Sequence, residues 1–190
     1  MLLIHNYLFP AMWLSYTAYW WAMSTHVKET ERREAGTSRL ARLVLMVCAV
    51  ALLSLPSVPL PLLNERFLPL GAWCFWSGAA MTAVGLLFSV WARRHLGKNW
   101  SQAVTVKEGQ ELITSGPYAL VRHPIYTGLL LAFVGSAVAR GEWRGLLASA
   151  LVFGALWRKL RLEEKWMRVQ FGAPYEAYSR QVAALVPYIM

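Results

Sequence analysis

The sequence predicts an all-α integral membrane protein of about five transmembrane helices, with a cytosolic pocket between the segment before the fourth helix and the C-terminal helices. Three observations predict it. The 190 residues are 57% hydrophobic and 15% charged, whereas soluble domains run to roughly 45 to 50% apolar and about 25% charged. Five apolar runs recur, and a hydrocarbon layer about 30 Å thick calls for about 20 apolar helical residues per crossing. The 19 Lys and Arg residues also segregate, with 16 in the connections on one side of the alternating runs and 3 on the other. Basic connections stay in the cytosol, so the N-terminus lies outside and the C-terminus inside. The formal net charge of +9 is thereby a topology signal, and no nucleic-acid partner is needed to explain it.

The elements follow in order. Tyr7 to Met23 is the first span, with Trp13, Trp20 and Trp21 as interfacial candidates. No Lys or Arg precedes Lys28, so the run lacks the basic flank of a cleaved signal and is expected to be kept. Ala41 to Leu63 is the second, frayed at its end by Pro56, Pro59 and Pro61. Phe67 to Val90 is the third, and Ser77, Gly78, Gly85 and Ser89 would let a neighbouring helix approach closely. The short link Asn64 to Arg66 predicts an antiparallel hairpin of the second and third spans. Ile125 to Ala139 and Leu146 to Trp157, joined by Arg140 to Gly145, predict a tight hairpin of the fourth and fifth. Cys48 and Cys74 fall in apolar runs and read as buried free thiols. The chain is thus one domain, with three transmembrane helices in 1–91, then a region 92–190 containing the helical hairpin 124–157 and C-terminal cytosolic helices. Within it, Arg93 to Arg122 carries an extended or irregular piece, and Gly172 with Pro174 breaks the C-terminal segment before a short helix, Tyr175 to Ala184.

Chemistry concentrates at two places. In SGPYALVRHPIYTGL, Ser115 to Leu129, Pro124 suits the first turn of the fourth helix, where a missing N–H costs nothing. His123 then stands at the helix entry, where free N–H groups and the helix dipole favour an anion and disfavour a charged imidazole. The plainer alternative is a histidine at the membrane boundary with Arg122 reaching lipid phosphate. In WRKLRLEEKWMRVQFG, Trp157 to Gly172, Glu164 is flanked by Arg161 and Arg168 at helical spacing and reads as a surface ion-pair residue. Glu163 occupies another face with Lys159, Trp166 and Met167, which suits a pocket lining. Tyr175 and Tyr178 read as packing residues. His5, His26 and His95 have no metal-ligand spacing, and no phosphate loop or nucleophile elbow is present. The apolar runs carry few polar groups, which speaks against a transporter or a merely structural scaffold.

The ordered set ELITSGPYALVRHPIYTG, a helical hairpin, RLEEKWMRVQFGAPYEAYSRQV and a closing VP resembles the isoprenylcysteine carboxyl methyltransferase family, with phospholipid methyltransferases as more distant relatives. The resemblance covers roughly Asn99 to Pro187. It implies an integral membrane methyltransferase using S-adenosyl-L-methionine, with a lipophilic or prenylated acceptor entering from the bilayer and no metal. It also implies residence in the cytoplasmic membrane of a bacterium or the endoplasmic reticulum of a eukaryote. Carried over by position, the cofactor contacts are Gln110, Glu111, Leu112 and Ile113 as a strand, then Tyr118, His123, Pro124, Ile125, Tyr126 and Glu163. Lys159 falls where the family places an arginine near the acceptor, so Lys159, Glu163 and Arg158 are the catalytic candidates, with Arg161 as another source of the guanidinium. Gln110 is a second departure, since many relatives have histidine there. A membrane reductase of the sterol reductase type, using NADPH, has a similar C-terminal region and is the competing assignment.

Overall fold

A computed structural model describes residues 2–24, 36–69, 71–97 and 112–187. Its elements are α1 (Leu2–Ser24), α2 (Gly36–Ser54), α3 (Pro61–Asn64), α4 (Ala72–Leu96), a 3-10 turn (Gly116–Ala119), α5 (Pro124–Arg140), α6 (Trp143–Phe171) and α7 (Ala173–Gln181). The described residues are all-helical apart from turns and an isolated bridge between Arg66 and Glu142. Two helices, Gly36–Ser54 and Ala72–Leu96, are long and apolar enough to cross a membrane. The outer face of α2 exposes Leu40, Leu43, Val44, Val47 and Val50. In water that face would forfeit about 1.5 to 3 kcal/mol per large aliphatic side chain left unburied; against lipid it forfeits nothing. Cys48 lies on the same exposed face and Cys74 is half-buried, so neither free thiol is buried as expected.

Helix α2 ends at Ser54, well short of Leu63, because Pro56 removes an N–H and biases the residue before it away from helix. The chain then turns through Pro59 and the short α3, where the Asn64 side chain accepts from Val58 N–H at 3.1 Å and donates to its carbonyl at 2.8 Å. The third long helix consequently starts at Ala72, not Phe67. The expected hairpin of these two helices does not form. Helix α2 packs on α6, and α4 packs on α5, because the proline-rich connection carries the chain across the end of the bundle. Arginines close that end. Arg140 donates to Leu53 O at 2.6 Å and Leu55 O at 2.9 Å, and the buried Arg144 donates to Leu55 O at 2.8 Å and Pro56 O at 3.0 Å. They satisfy carbonyls that the end of α2 leaves unpaired, and Glu142 balances both guanidiniums.

The expected α5–α6 hairpin does form, turned by Gly141 in the left-handed region (φ 68°). Helix α6 then runs 29 residues without a break, about 44 Å at 1.5 Å per residue. That is longer than a hydrocarbon layer of about 30 Å, and the charged residues gather in its C-terminal part. Gly172 (φ 56°) stops it, and Pro174 restarts the chain in the first turn of α7.

The α4–α5 seam is made of small residues one heptad apart. A Cβ on Gly78 or Gly85 would strike the α5 backbone, and one on Gly128 or Gly135 would strike α4. Gly128→Val is therefore expected to cost about 1 to 3 kcal/mol through overpacking, read as a lower unfolding midpoint in detergent. Gly154→Ala, where an added Cβ meets nothing within 4 Å, serves as the control and gains up to about 1 kcal/mol of helix propensity. Equal midpoints for the two variants would refute the seam. Hydroxyls link this pair and tie α1 to it: Thr82 lies 3.3 Å from Ser136 across the seam, while from α1 Tyr16 pairs with Ser89 at 2.7 Å and Trp13 Nε1–H donates to Ser136 at 3.2 Å. The apolar runs thus hold more polar atoms than expected, but these pair with one another as interhelical links.

Candidate active site

The site begins with two backbone hydrogen bonds. Arg122 N–H donates to Ala183 O at 2.8 Å and His123 N–H to Ala184 O at 3.0 Å, which lays the segment after α7 along the entry to α5. Thr127 fixes the next turn by donating its hydroxyl to Leu185 O at 2.7 Å. His123 is the N-cap residue and Pro124 the first helical residue, as the sequence predicted. The α6 extension then crosses this entry and presents Glu163 and Glu164 to it.

Glu163 is the centre. Its Oε1 accepts from the Tyr126 hydroxyl at 2.5 Å and lies 3.6 Å from Lys159 Nζ, while its Oε2 lies 3.4 Å from His123 Nδ1. The imidazole stacks flat on the Tyr126 ring at 5.5 Å, and Lys159 Nζ sits 5.3 Å from the centroid of the same ring. Burial pushes the Glu163 carboxyl up, but Lys159, His123 and Tyr126 outweigh it and hold it at about 2. Burial likewise pushes His123 down, yet Glu163 and Glu164 raise it above its ordinary value of 6.5. The expected dipole effect is thus overturned: two carboxylates within 3.5 Å favour the imidazolium more than a helix terminus disfavours it.

Glu164 is not a surface residue. It is buried, and the Arg122 guanidinium grips its Oε1 through Nε at 2.9 Å and Nη2 at 2.6 Å. The remaining Arg122 nitrogen donates to Ser179 O at 3.0 Å and to Val182 O. Arg122 therefore ties α5, α6 and α7 together and is not spent on lipid phosphate. Of the two flanking arginines only Arg168 approaches Glu164, at 3.6 Å; Arg161 stacks over Trp157 at 5.7 Å.

Tyr118 is buried in the 3-10 turn, accepts on its carbonyl from the Tyr178 hydroxyl at 2.6 Å, and is raised in pKa first by burial and then by the charge of Glu163. His95, which the sequence left alone in a basic stretch, stacks on Tyr118 at 6.4 Å and shares a hydrogen bond with Ser115 at 3.0 Å. Its ring also fills the space a side chain at Gly116 would need. Tyr175 and Tyr178 are buried against each other edge to face, as packing residues.

The structure therefore brings together His123, Tyr126, Lys159 and Glu163, with Tyr118 alongside. Ile125 instead packs against the core cluster around Phe133 and Leu156, and Pro124 contributes through its backbone. Leu112 and Ile113 run irregularly into the 3-10 turn with no strand ladder, and Gln110 and Glu111 lie outside the described residues. Arg158 is exposed, about 100° around the helix from Lys159, and is not brought to the cluster. Among the described residues no group of His, Cys, Asp or Glu could hold a metal ion.

Comparison with known proteins bears on these same residues. The profile of the phospholipid methyltransferase family matches residues 73–174, a stretch that holds α4, α5, α6 and both glutamates. A probable protein-S-isoprenylcysteine O-methyltransferase of Oryza sativa subsp. indica is 31% identical over 118 residues, 59% of this chain and 60% of the relative. The protein-S-isoprenylcysteine O-methyltransferase of Schizosaccharomyces pombe is 32% identical over 99 residues, 49% of this chain and 41% of its own. Methanethiol S-methyltransferase 2 of Bradyrhizobium diazoefficiens is 40% identical over 81 residues, 42% of this chain and 30% of its own. The chain spans 60% or less of the length of these relatives. Since the family profile covers more than half of its residues, the chain belongs to the phospholipid methyltransferase family.

Proposed function

We propose that the protein is a membrane-embedded methyltransferase that takes S-adenosyl-L-methionine from the cytosolic side and a lipophilic acceptor from the bilayer, with its N-terminus outside and its C-terminus in the cytosol. The observation that carries this is Glu163, an ionised carboxylate framed by His123, Tyr126 and Lys159 inside the stretch that matches the family.

The residues suit the cofactor's charges. His123 Nε2 is buried and makes no hydrogen bond, its nearest charge being Glu164 Oε1 at 3.5 Å, and an imidazolium there, beside the free N–H groups of the α5 entry, suits a carboxylate. Glu163 suits an ammonium or ribose hydroxyls, with the buried Tyr118 alongside. When bound, the cofactor supplies an electrophilic methyl group, and in-line transfer gains mainly from positioning. Lys159 stands on the same turn of α6 and faces the acceptor side, whereas Arg158 stands outside the set. Glu163, held at about 2, is a weak base, and His123 leans toward its protonated form. The cluster thus has little capacity to take a proton at neutral pH, so the acceptor arrives as an anion or as a nucleophile needing no deprotonation.

Calorimetric titration of the purified protein separates this from the reductase assignment. S-adenosylhomocysteine is expected to bind saturably while NADPH gives no heat, and the reverse pattern would transfer the site to a nicotinamide cofactor.

A further inference from the structure

The acceptor side of the cluster has a cation from outside the matched stretch. Helix α2 turns one stripe inward: Ala49 is fully buried in the core cluster of Tyr126, Val152 and Leu156, and Met46 and Leu53 pack against that cluster. Arg42 continues the stripe. It lies seven residues, about two turns, before Ala49, and it is half-buried where Arg39, Leu40 and Leu43 around it are exposed.

The register along α6 fixes its height. The helices run antiparallel, since Leu55 at the end of α2 receives a hydrogen bond from Arg144 at the start of α6, and Ala49 shares one buried cluster with Ala148 and Val152. Equal steps along both helices carry Arg42 to the level of Ala155 to Lys159, where Lys159 stands over the Tyr126 ring. Lys159, Arg122 and Arg42 outnumber the carboxylates of Glu163 and Glu164, so the cluster is cationic before a sulfonium cofactor adds to it. Such a site favours an anionic acceptor and repels an ammonium.

We propose that Arg42 anchors the anionic head of the acceptor, a guanidinium supplied by α2 at the level where Lys159 and Tyr126 meet, and that α2 is thereby the element that sets acceptor specificity. The inference rests on the methyltransferase assignment and names the side chain that selects its second substrate. Arg42 already interacts within the protein, and its guanidinium carries five N–H donors in a planar fork. Its place in the N-terminal half, outside residues 73–174, lets acceptor choice vary while the cofactor end stays the same.

The test uses the full chain in phosphatidylcholine nanodiscs and two probes, N-acetyl-S-farnesylcysteine and its uncharged carboxamide, with S-adenosylhomocysteine affinity measured alongside. Wild-type protein is expected to prefer the acid over the amide. Arg42→Gln is expected to weaken acid binding about tenfold, the scale of one lost charge-assisted hydrogen bond, leaving amide and S-adenosylhomocysteine affinities unchanged. Arg42→Lys, which keeps the charge and loses the fork, is expected to fall between. Should the glutamine variant fail to fold, the wild-type preference and the lysine variant carry the test. Wild-type protein indifferent to acid and amide, or an Arg42→Gln variant that loses both equally, would overturn the proposal and return Arg42 to a lipid-facing or packing role. Loss of S-adenosylhomocysteine binding in the wild type, with acid selection by Arg42 intact, would instead overturn the cofactor assignment alone.

Discussion

Glu163→Gln is expected to lower the affinity for S-adenosylhomocysteine by about 100-fold and to remove methyl transfer with it. The size follows from what the carboxylate faces. Hydrogen bonds to a charged group are worth about 1.5 to 3 kcal/mol net, and about 2.7 kcal/mol is a factor of 100. Glutamine keeps the shape and loses the charge, so Lys159 at 3.6 Å and His123 at 3.4 Å lose their shared counterion as well. His123 should then titrate closer to its ordinary value, which imidazole NMR shifts would report. Tyr126→Phe removes one neutral donor at 2.5 Å and is expected to cost about tenfold or less. Wild-type cofactor affinity in Glu163→Gln would remove the carboxylate from the site, whatever the state of the fold.

The features legible in the sequence are those set by local chemistry. Pro124 can start a helix and Gly172 can stop one, so the entry to α5 and the break before α7 stand where the sequence puts them. Helices α5 and α6 close into the expected hairpin because Gly141 takes the left-handed turn between them, whereas the short link Asn64 to Arg66 makes none. The apolar stripe of α6, Ala148, Val152, Ala155, Leu156 and Leu160, also held the phase that separates Lys159 from Arg158. What could not be seen was set by partners distant in sequence. Glu164 has arginines at helical spacing, so its local pairs looked sufficient, yet Arg122 reaches it from 42 residues away. Three prolines after α2 marked the end of a helix, but not that the chain would cross the bundle and leave α2 against α6. His95 offered no local pattern, because its place depends on the turn at Gly116 arriving beside the end of α4.

The second large effect is expected at Arg122→Ala, as a loss of about 3 to 5 kcal/mol of stability, the scale of breaking a buried pair by removing one partner. The variant leaves Glu164 buried with only His123, at 3.5 Å, and the more exposed Arg168, at 3.6 Å, to balance it. It also leaves Ser179 O and Val182 O without their donor. Arg122→Lys restores charge but not the planar fork and is expected to recover part of the loss. Replacing both partners, Arg122→Met with Glu164→Leu, removes the stranded charge and is expected to be milder than Arg122→Ala. The pH dependence has a definite sign. Burial raises the Glu164 carboxyl, but His123 and Arg122 hold it at about 2, below its ordinary 4.5. Its contribution, of order 3 kcal/mol, is present above about pH 4.5 and is lost as the pH falls toward 2. Unfolding midpoints across that window should fall for wild type and change less for the double variant. Parallel curves would mean that Glu164 is not the acid that holds α5, α6 and α7 together.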